Sequence, residues 1–240
     1  MLKPDNALFL DFDGTLVAFA QQPDGVTVDA RLPALLAELR TRLGGAVALV
    51  SGRTIAQLDA LLGLPHYAAA GLHGHEWRLE DGKLHQSGKT PSVGRILSGL
   101  RERFGGDIRL FIEDKGASVA LHYRRAPGRA QACIAAMREL AGPEFEVLQG
   151  HCVVEARPRG IHKGIALKTL SSHPPFKGRR PVFVGDDVTD EDGFRVALAL
   201  GGHGVKVGPE PSLARYRLSS VKAVHDWLAA SLLVLGREAS

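Results

Sequence analysis

Ala7-Leu8-Phe9-Leu10-Asp11-Phe12-Asp13-Gly14-Thr15-Leu16 is the segment on which the reading of the fold turns. Its leading apolar residues read as a buried strand, and two carboxylates follow where that strand ends. Successive residues of an extended segment point to opposite sides, so Asp11 and Asp13 can face one space while Phe12 turns back into the protein. Gly14 leaves the backbone free to turn. Two like charges this close disfavour each other's ionisation unless something positive sits between them, and an oxygen-bound divalent cation is the usual answer. Alone, the segment fits a solvated acidic turn equally well; the rest of the chain separates the two.

A second apolar run, Ala46-Val47-Ala48-Leu49-Val50, ends in Ser51-Gly52-Arg53 before a helical segment through Leu62. A hydroxyl and backbone N–H groups at a strand end suit an anion. Ser51 could also serve simply as the helix N-cap. Gly160-Ile161-His162-Lys163-Gly164 opens another helix and puts Lys163 in its first turn, where a cation opposes the dipole and a nearby anion would explain it. Pro181-Val182-Phe183-Val184 is a further buried strand. Five carboxylates lie between Asp186 and Asp192, too many for a solvated loop after so apolar a strand. Asp186 is expected to complete the cation site, with Asp187 and Asp190 behind it or holding Lys163.

Composition sets the outer bounds. With 240 residues, 45% of them hydrophobic, the chain can bury a large core plus a smaller module. Met1-Leu2-Lys3-Pro4-Asp5 runs directly into the first strand, and the apolar runs are shorter than a membrane span, so a cytoplasmic protein is expected. Cys133 and Cys152 form no Cys-x-x-Cys pair. The net charge of +4 suits an anionic ligand, but Lys and Arg are scattered and no basic run interleaves with aromatics, which argues against nucleic acid as a partner.

Between these stretches lie a loop over Gln21–Asp29, a helix over Leu32–Leu43 closed by Gly44-Gly45, and a strand at Tyr67–Ala70. His73, His75 and Glu76 follow that strand and read as hydrogen-bonded structure rather than a metal site. Glu80-Asp81-Gly82-Lys83 reads as a hairpin turn. From Thr90 to Pro158 the pattern becomes helix, strand pair, helix, strand pair, an open-faced α+β sandwich carrying Glu113-Asp114-Lys115, His122-Tyr123-Arg124 and Glu155-Ala156-Arg157-Pro158. Gly204–Val207 reads as the last strand and Val221–Leu235 as a terminal helix. The expected architecture is an α/β doubly wound parallel sheet, residues 1–88 and 159–240, with an inserted α+β domain at 89–158.

Asp-x-Asp-Gly-Thr-Leu, then Ser-Gly, Lys163 and the acidic cluster, each in order, resembles the haloacid dehalogenase superfamily of phosphotransferases, with the insert matching its cap module. Gly-Leu-His-Gly, Glu-Asp-Lys, His-Tyr-Arg, Glu-x-Arg-Pro and Gly-Asp-Asp-x-Thr-Asp-Glu-Asp extend the resemblance to the trehalose-6-phosphate phosphatase family over essentially the whole chain. Phe12 departs from a frequent Tyr, and His151 stands where Lys is expected. The resemblance implies that Asp11 is the nucleophile, that Asp13 is the general acid and base, and that Mg²⁺ is held by Asp11, the Asp13 carbonyl and Asp186. It implies phosphate binding by Ser51, Gly52, Arg53 and Lys163, and sugar binding by Glu113, Lys115, Glu155 and Arg157. It further implies a monomer acting on a small sugar phosphate, in a pathway shared with a synthase. A phosphatase for another sugar or glycosyl-glycerate phosphate, a sugar phosphomutase and a non-catalytic binding module are the other readings.

Overall fold

A computed structural model describes residues 1–19, 25–64, 66–88, 91–150 and 152–238. The chain divides into two compact units, one formed by Met1–His85 with His162–Ser240, the other by Gln86–Ile161. Part of the expected loop at Gln21–Asp29, and His151, lie outside the described residues.

The larger unit is built on β1 (Asn6–Leu10), β2 (Val47–Val50), β3 (Ala68–Gly71), β4 (Glu76–Arg78), β5 (Leu84–Gln86), β10 (Arg180–Gly185), β11 (His203–Val207) and β12 (Tyr216–Leu218). They form one sheet in the order β12-β11-β10-β1-β2-β3-β4-β5. Pairing is parallel from β12 to β3 and turns antiparallel at β3–β4. β1 and β2 are buried at every residue, which requires cover on both faces and explains why they read as unbroken apolar runs. That cover comes from α1 (Leu32–Arg42) packed on α7 (Val221–Glu238), α2 (Ile55–Leu62) beside β3, and α5 (Lys163–Ser171) packed on α6 (Glu191–Ala199). Phe9 and Phe176 lie 5.2 Å apart between ring centroids, and Phe183 meets Phe194 edge to face at 5.7 Å.

The smaller unit pairs β6 (Phe111–Asp114), β7 (Val119–His122), β9 (Val153–Pro158) and β8 (Phe145–Gly150) in the order β6-β7-β9-β8, all antiparallel. Its helices α3 (Gly94–Phe104) and α4 (Ala130–Leu140) share a separate core with Val119, Leu121, Val154 and Ala156. Alternate residues of these strands face away from that core, as the alternating sequence requires.

One expectation is corrected and one alternative reading is excluded. β11 is not the last strand: β12 follows, an edge strand of three residues, Tyr216-Arg217-Leu218, too short for its alternation to stand out. Ser51 is not the cap of α2. Thr54 is, its hydroxyl accepting from Gln57 N at 3.1 Å while Gln57 Oε1 accepts from Thr54 N at 2.9 Å. This reciprocal box is worth about 1 kcal/mol and leaves Ser51 to the strand end.

Candidate active site

The register of the sheet brings distant carboxylates together. Leu10 lies opposite Leu49 on one side and Val184 on the other, so Asp11 leaves the sheet between the ends of β2 and β10, its N–H donating to Val184 O at 2.9 Å. Gly185, the last residue of β10, hands the chain to Asp186. Lys163 begins α5 and sends Nζ to Asp11 Oδ1 and to Asp190 Oδ1, each at 2.7 Å. Its ammonium sits against the unfavourable end of a helix dipole, and these two carboxylates more than offset that. Asp190 turns its other oxygen to the N–H groups of Asp186 and Asp187, at 3.0 and 2.9 Å. Thr15 Oγ1 lies 3.2 Å from both Asp11 Oδ2 and Asp186 Oδ1.

Two glycines permit this closeness. Gly14 adopts φ +81°, and a Cβ there would collide with the Asp186 carboxylate. A Cβ on Gly185 would collide with that of Asp190. Asp187 does not reach Lys163; its carboxylate caps the short turn at Val188, accepting from that N–H at 2.7 Å. Arg53 holds Asp13 in a two-pronged pair, Nε to Oδ2 and Nη2 to Oδ1, both 2.7 Å. Ser51 Oγ accepts from Arg53 N at 3.1 Å, which ties the Ser51-Gly52-Arg53 turn together. Glu76 Oε1 accepts from Ile55 N and the His73 ring packs over Gly52, so both serve the turn after β2.

The electrostatics are those of a site with too much negative charge. Burial, opposed by Lys163 and reinforced by Asp190 and Asp186, holds the Asp11 carboxyl well above its usual range. Burial and then Asp190 push Asp186 up to about 6. For Lys163 burial works against the charge, but Asp11 and Asp190 outweigh it and the ammonium is held strongly protonated. Among the described residues, Asp11, Asp186 and Asp190 form the acidic group able to hold a metal, offering oxygens within 4.8 Å of one another. With Lys163 as the ammonium directly paired to the group, hard oxygen donors and surplus charge fit a small divalent cation.

In the smaller unit the register aligns Glu113, Ala120 and Glu155 in one row on the face away from its core. Glu155 accepts from Ser118 Oγ at 2.7 Å and Lys115 Nζ at 3.2 Å. Glu113 Oε2 lies 2.9 Å from His122 Nε2. Arg157 donates through Nε to Glu146 Oε1 at 2.7 Å, while its buried Nη1 has no hydrogen-bond partner among the described residues. The four expected cap residues thus share a polar sheet face. Ser118 and Glu146 join them, unseen in the sequence because a lone Ser or Glu in an alternating strand reads as solvent-facing.

The family model described as trehalose-phosphatase matches residues 9–222. A probable trehalose-phosphate phosphatase of Sinorhizobium fredii is 42% identical over 234 residues, covering 95% of this chain and 88% of that one. The trehalose-6-phosphate phosphatase of Escherichia coli is 40% identical over 230 residues, covering 95% and 86%. The solved C-terminal domain of a C. albicans trehalose-6-phosphate phosphatase superposes with TM-score 0.83 at 22% identity, covering 95% of this chain and 91% of that one, which shows a shared fold. No helix among the described residues is long and apolar enough to cross a membrane. Matched over most of its length by the family model and by relatives that it spans almost whole, the chain belongs to the trehalose-phosphatase family.

Proposed function

We propose that the chain hydrolyses trehalose 6-phosphate to trehalose and inorganic phosphate. The observation that carries this is the buried Asp11–Lys163–Asp190 array at the ends of β1 and β10 in a chain of this family. Asp11 attacks phosphorus in line, forming an acyl phosphate as the bond to the sugar oxygen breaks. Asp13 gives the departing oxygen a proton, then takes one from the water that cleaves the acyl phosphate. Protonation of Asp13 removes the charge that strengthens its pair with Arg53 and so frees Arg53 for another anion. The substrate phosphate is the anion to which it would transfer. Ser51 and Lys163 hold further phosphate oxygens, and Gly52 lets the backbone come close. On the smaller unit, Glu113, Lys115, Glu155 and Arg157 are assigned to the sugar hydroxyls; the unpartnered Nη1 of Arg157 supports this.

The carboxylates of Asp11 and Asp186, with the Asp13 carbonyl, would hold Mg²⁺, which when bound neutralises charge on the phosphate oxygens. Asp187 and Asp190 shape the turn that presents Asp186. Because Asp186 titrates near 6, protons compete with the cation below that value. Mn²⁺ affinity measured by calorimetry is expected to weaken as pH falls, by at least about tenfold per pH unit below about 6, because Asp11 and Asp186 both hold their protons more tightly than ordinary carboxyls. Affinity independent of pH from 5 to 8 would remove Asp186 from the ligand set.

Substrate choice is tested by phosphate release from trehalose 6-phosphate, sucrose 6-phosphate, glucose 6-phosphate and mannosyl-phosphoglycerate, each with Mg²⁺ and with chelator. The expected result is Mg²⁺-dependent release with kcat/KM for trehalose 6-phosphate at least about a hundredfold above the others, since buried polar groups left unpaired by a wrong sugar cost several kcal/mol. Equal rates across the panel would overturn the assignment of the smaller unit's sheet face and leave the phosphate chemistry standing.

A further inference from the structure

Lys206 belongs to β11, is 2% exposed and lies in register with Gly185 at the end of β10. A buried ammonium is costly unless it is used. Its Nζ donates to the backbone carbonyl of Asp186, and its carboxylate neighbour is Glu210 Oε2 at 3.5 Å, on a side chain that is largely exposed. We propose that Lys206 is a positioning residue for the metal-ligating turn: it fixes the Asp186 peptide from the neighbouring strand so that the Asp186 carboxylate meets the cation in one orientation. The inference rests on the reading of Asp186 as a metal ligand.

The argument follows the peptide groups of the turn. Asp186 is one residue past β10, where sheet pairing no longer dictates its backbone. Asp190 Oδ2 grips the N–H groups of Asp186 and Asp187 from one side. Lys206 grips the Asp186 carbonyl from the other. With both sides held, the residue has little freedom left in its backbone dihedrals, and Thr15 Oγ1 at 3.2 Å sets the carboxylate itself. Glu210 in turn keeps the ammonium from swinging away. The same arrangement joins two Lys-anchored halves: Lys163 fixes Asp11 and Asp190, Lys206 fixes Asp186. Groups that orient ligands without touching the metal typically change its affinity by about 10–100-fold when lost.

The test is Mn²⁺ titration of the full chain at pH 7.5 by calorimetry, for wild type, Asp186→Asn, Lys206→Met and Lys206→Arg, with KM for trehalose 6-phosphate taken at saturating Mn²⁺. Asp186→Asn is expected to lose Mn²⁺ binding. Lys206→Met should bind Mn²⁺ at least about tenfold more weakly, with KM within about twofold of wild type, and Lys206→Arg, which keeps a donor, should recover most of the affinity. Wild-type affinity in Lys206→Met, whether or not its melting temperature falls, overturns the inference while leaving Asp186 a ligand. Equal affinity in wild type and Asp186→Asn overturns both. Should Lys206→Met fail to fold, Lys206→Gln decides on a shorter stem: weakened Mn²⁺ binding supports the inference and unchanged binding overturns it.

Discussion

Asp11→Asn is expected to lose phosphate release by on the order of 10⁴-fold or more, since a carboxamide cannot form the acyl phosphate. The same variant, without metal, is expected to melt no lower than wild type. The reason lies in the charge balance at the end of β1. Burial holds the Asp11 carboxyl well above its ordinary value of 3.8, and Lys163 only partly offsets this. A carboxyl raised in the folded state contributes stability that is complete below its unfolded value and is lost as pH rises through the folded one. Asp186, raised to about 6, acts in the same direction between about pH 4 and 6. Metal-free wild type should therefore lose ground against Asp11→Asn as pH climbs from 5 to 8, and added Mg²⁺ should narrow the gap by stabilising only the protein that binds it well. Thermal melts at pH 5 and 8, with and without Mg²⁺, test this. A variant melting several degrees below wild type at pH 8 without metal would show that the carboxylate is not strained there. Residual release within tenfold of wild type would remove Asp11 as nucleophile. Loss of activity with gain of stability is the expected mark of a site that pays in stability for surplus charge.

Much of this was legible from residue types alone because the sheet is parallel and buried on both faces. Apolar runs such as Leu8–Leu10 and Val182–Val184 could be central strands only if covered on both sides, and the charged residues interrupting them had to lie at their ends. What the order of residues did not reveal is which ends meet. Arg53 reads as an anion-binding residue, yet in the structure it clamps Asp13, a pairing that depends on how the turn after β2 folds back over β1. Asp187 and Asp190 look interchangeable, whereas one caps a local turn and the other reaches Lys163, 27 positions away. Lys206 leaves a signal in the sequence: one Lys between Val205 and Val207, in a strand flanked on both sides, is a buried charge in need of a partner. β12 leaves almost none, because three residues at a sheet edge are too few to establish an alternation.

Lys163→Met is expected to cost about 3–5 kcal/mol of stability, the scale for removing one partner from a buried ionic cluster. Lys163 is 4% exposed at its side chain, and both carboxylates it binds are as deeply enclosed. With the Lys163 ammonium gone, Asp11 and Asp190 face each other and Asp186 with no cation paired to either of them, and the least costly response is for one of them to take up a proton. A protonated Asp11 is no nucleophile, so activity falls even in the fraction that stays folded. Asp190→Asn should therefore rescue stability in the Lys163→Met background more than it helps wild type. An Asn oxygen can still accept from the N–H groups of Asp186 and Asp187, and the unpaired charge is removed. In a double-mutant cycle by urea unfolding, the two changes should be non-additive by more than about 1 kcal/mol, with activity still lost in the double variant because the phosphate has no lysine to hold it. Additivity within about 0.5 kcal/mol would mean that Lys163 and Asp190 do not act as one unit, and that the ammonium is retained for Asp11 and the substrate alone. Recovery of activity in the double variant would instead place the role of Lys163 in charge balance among the carboxylates and not in binding phosphate.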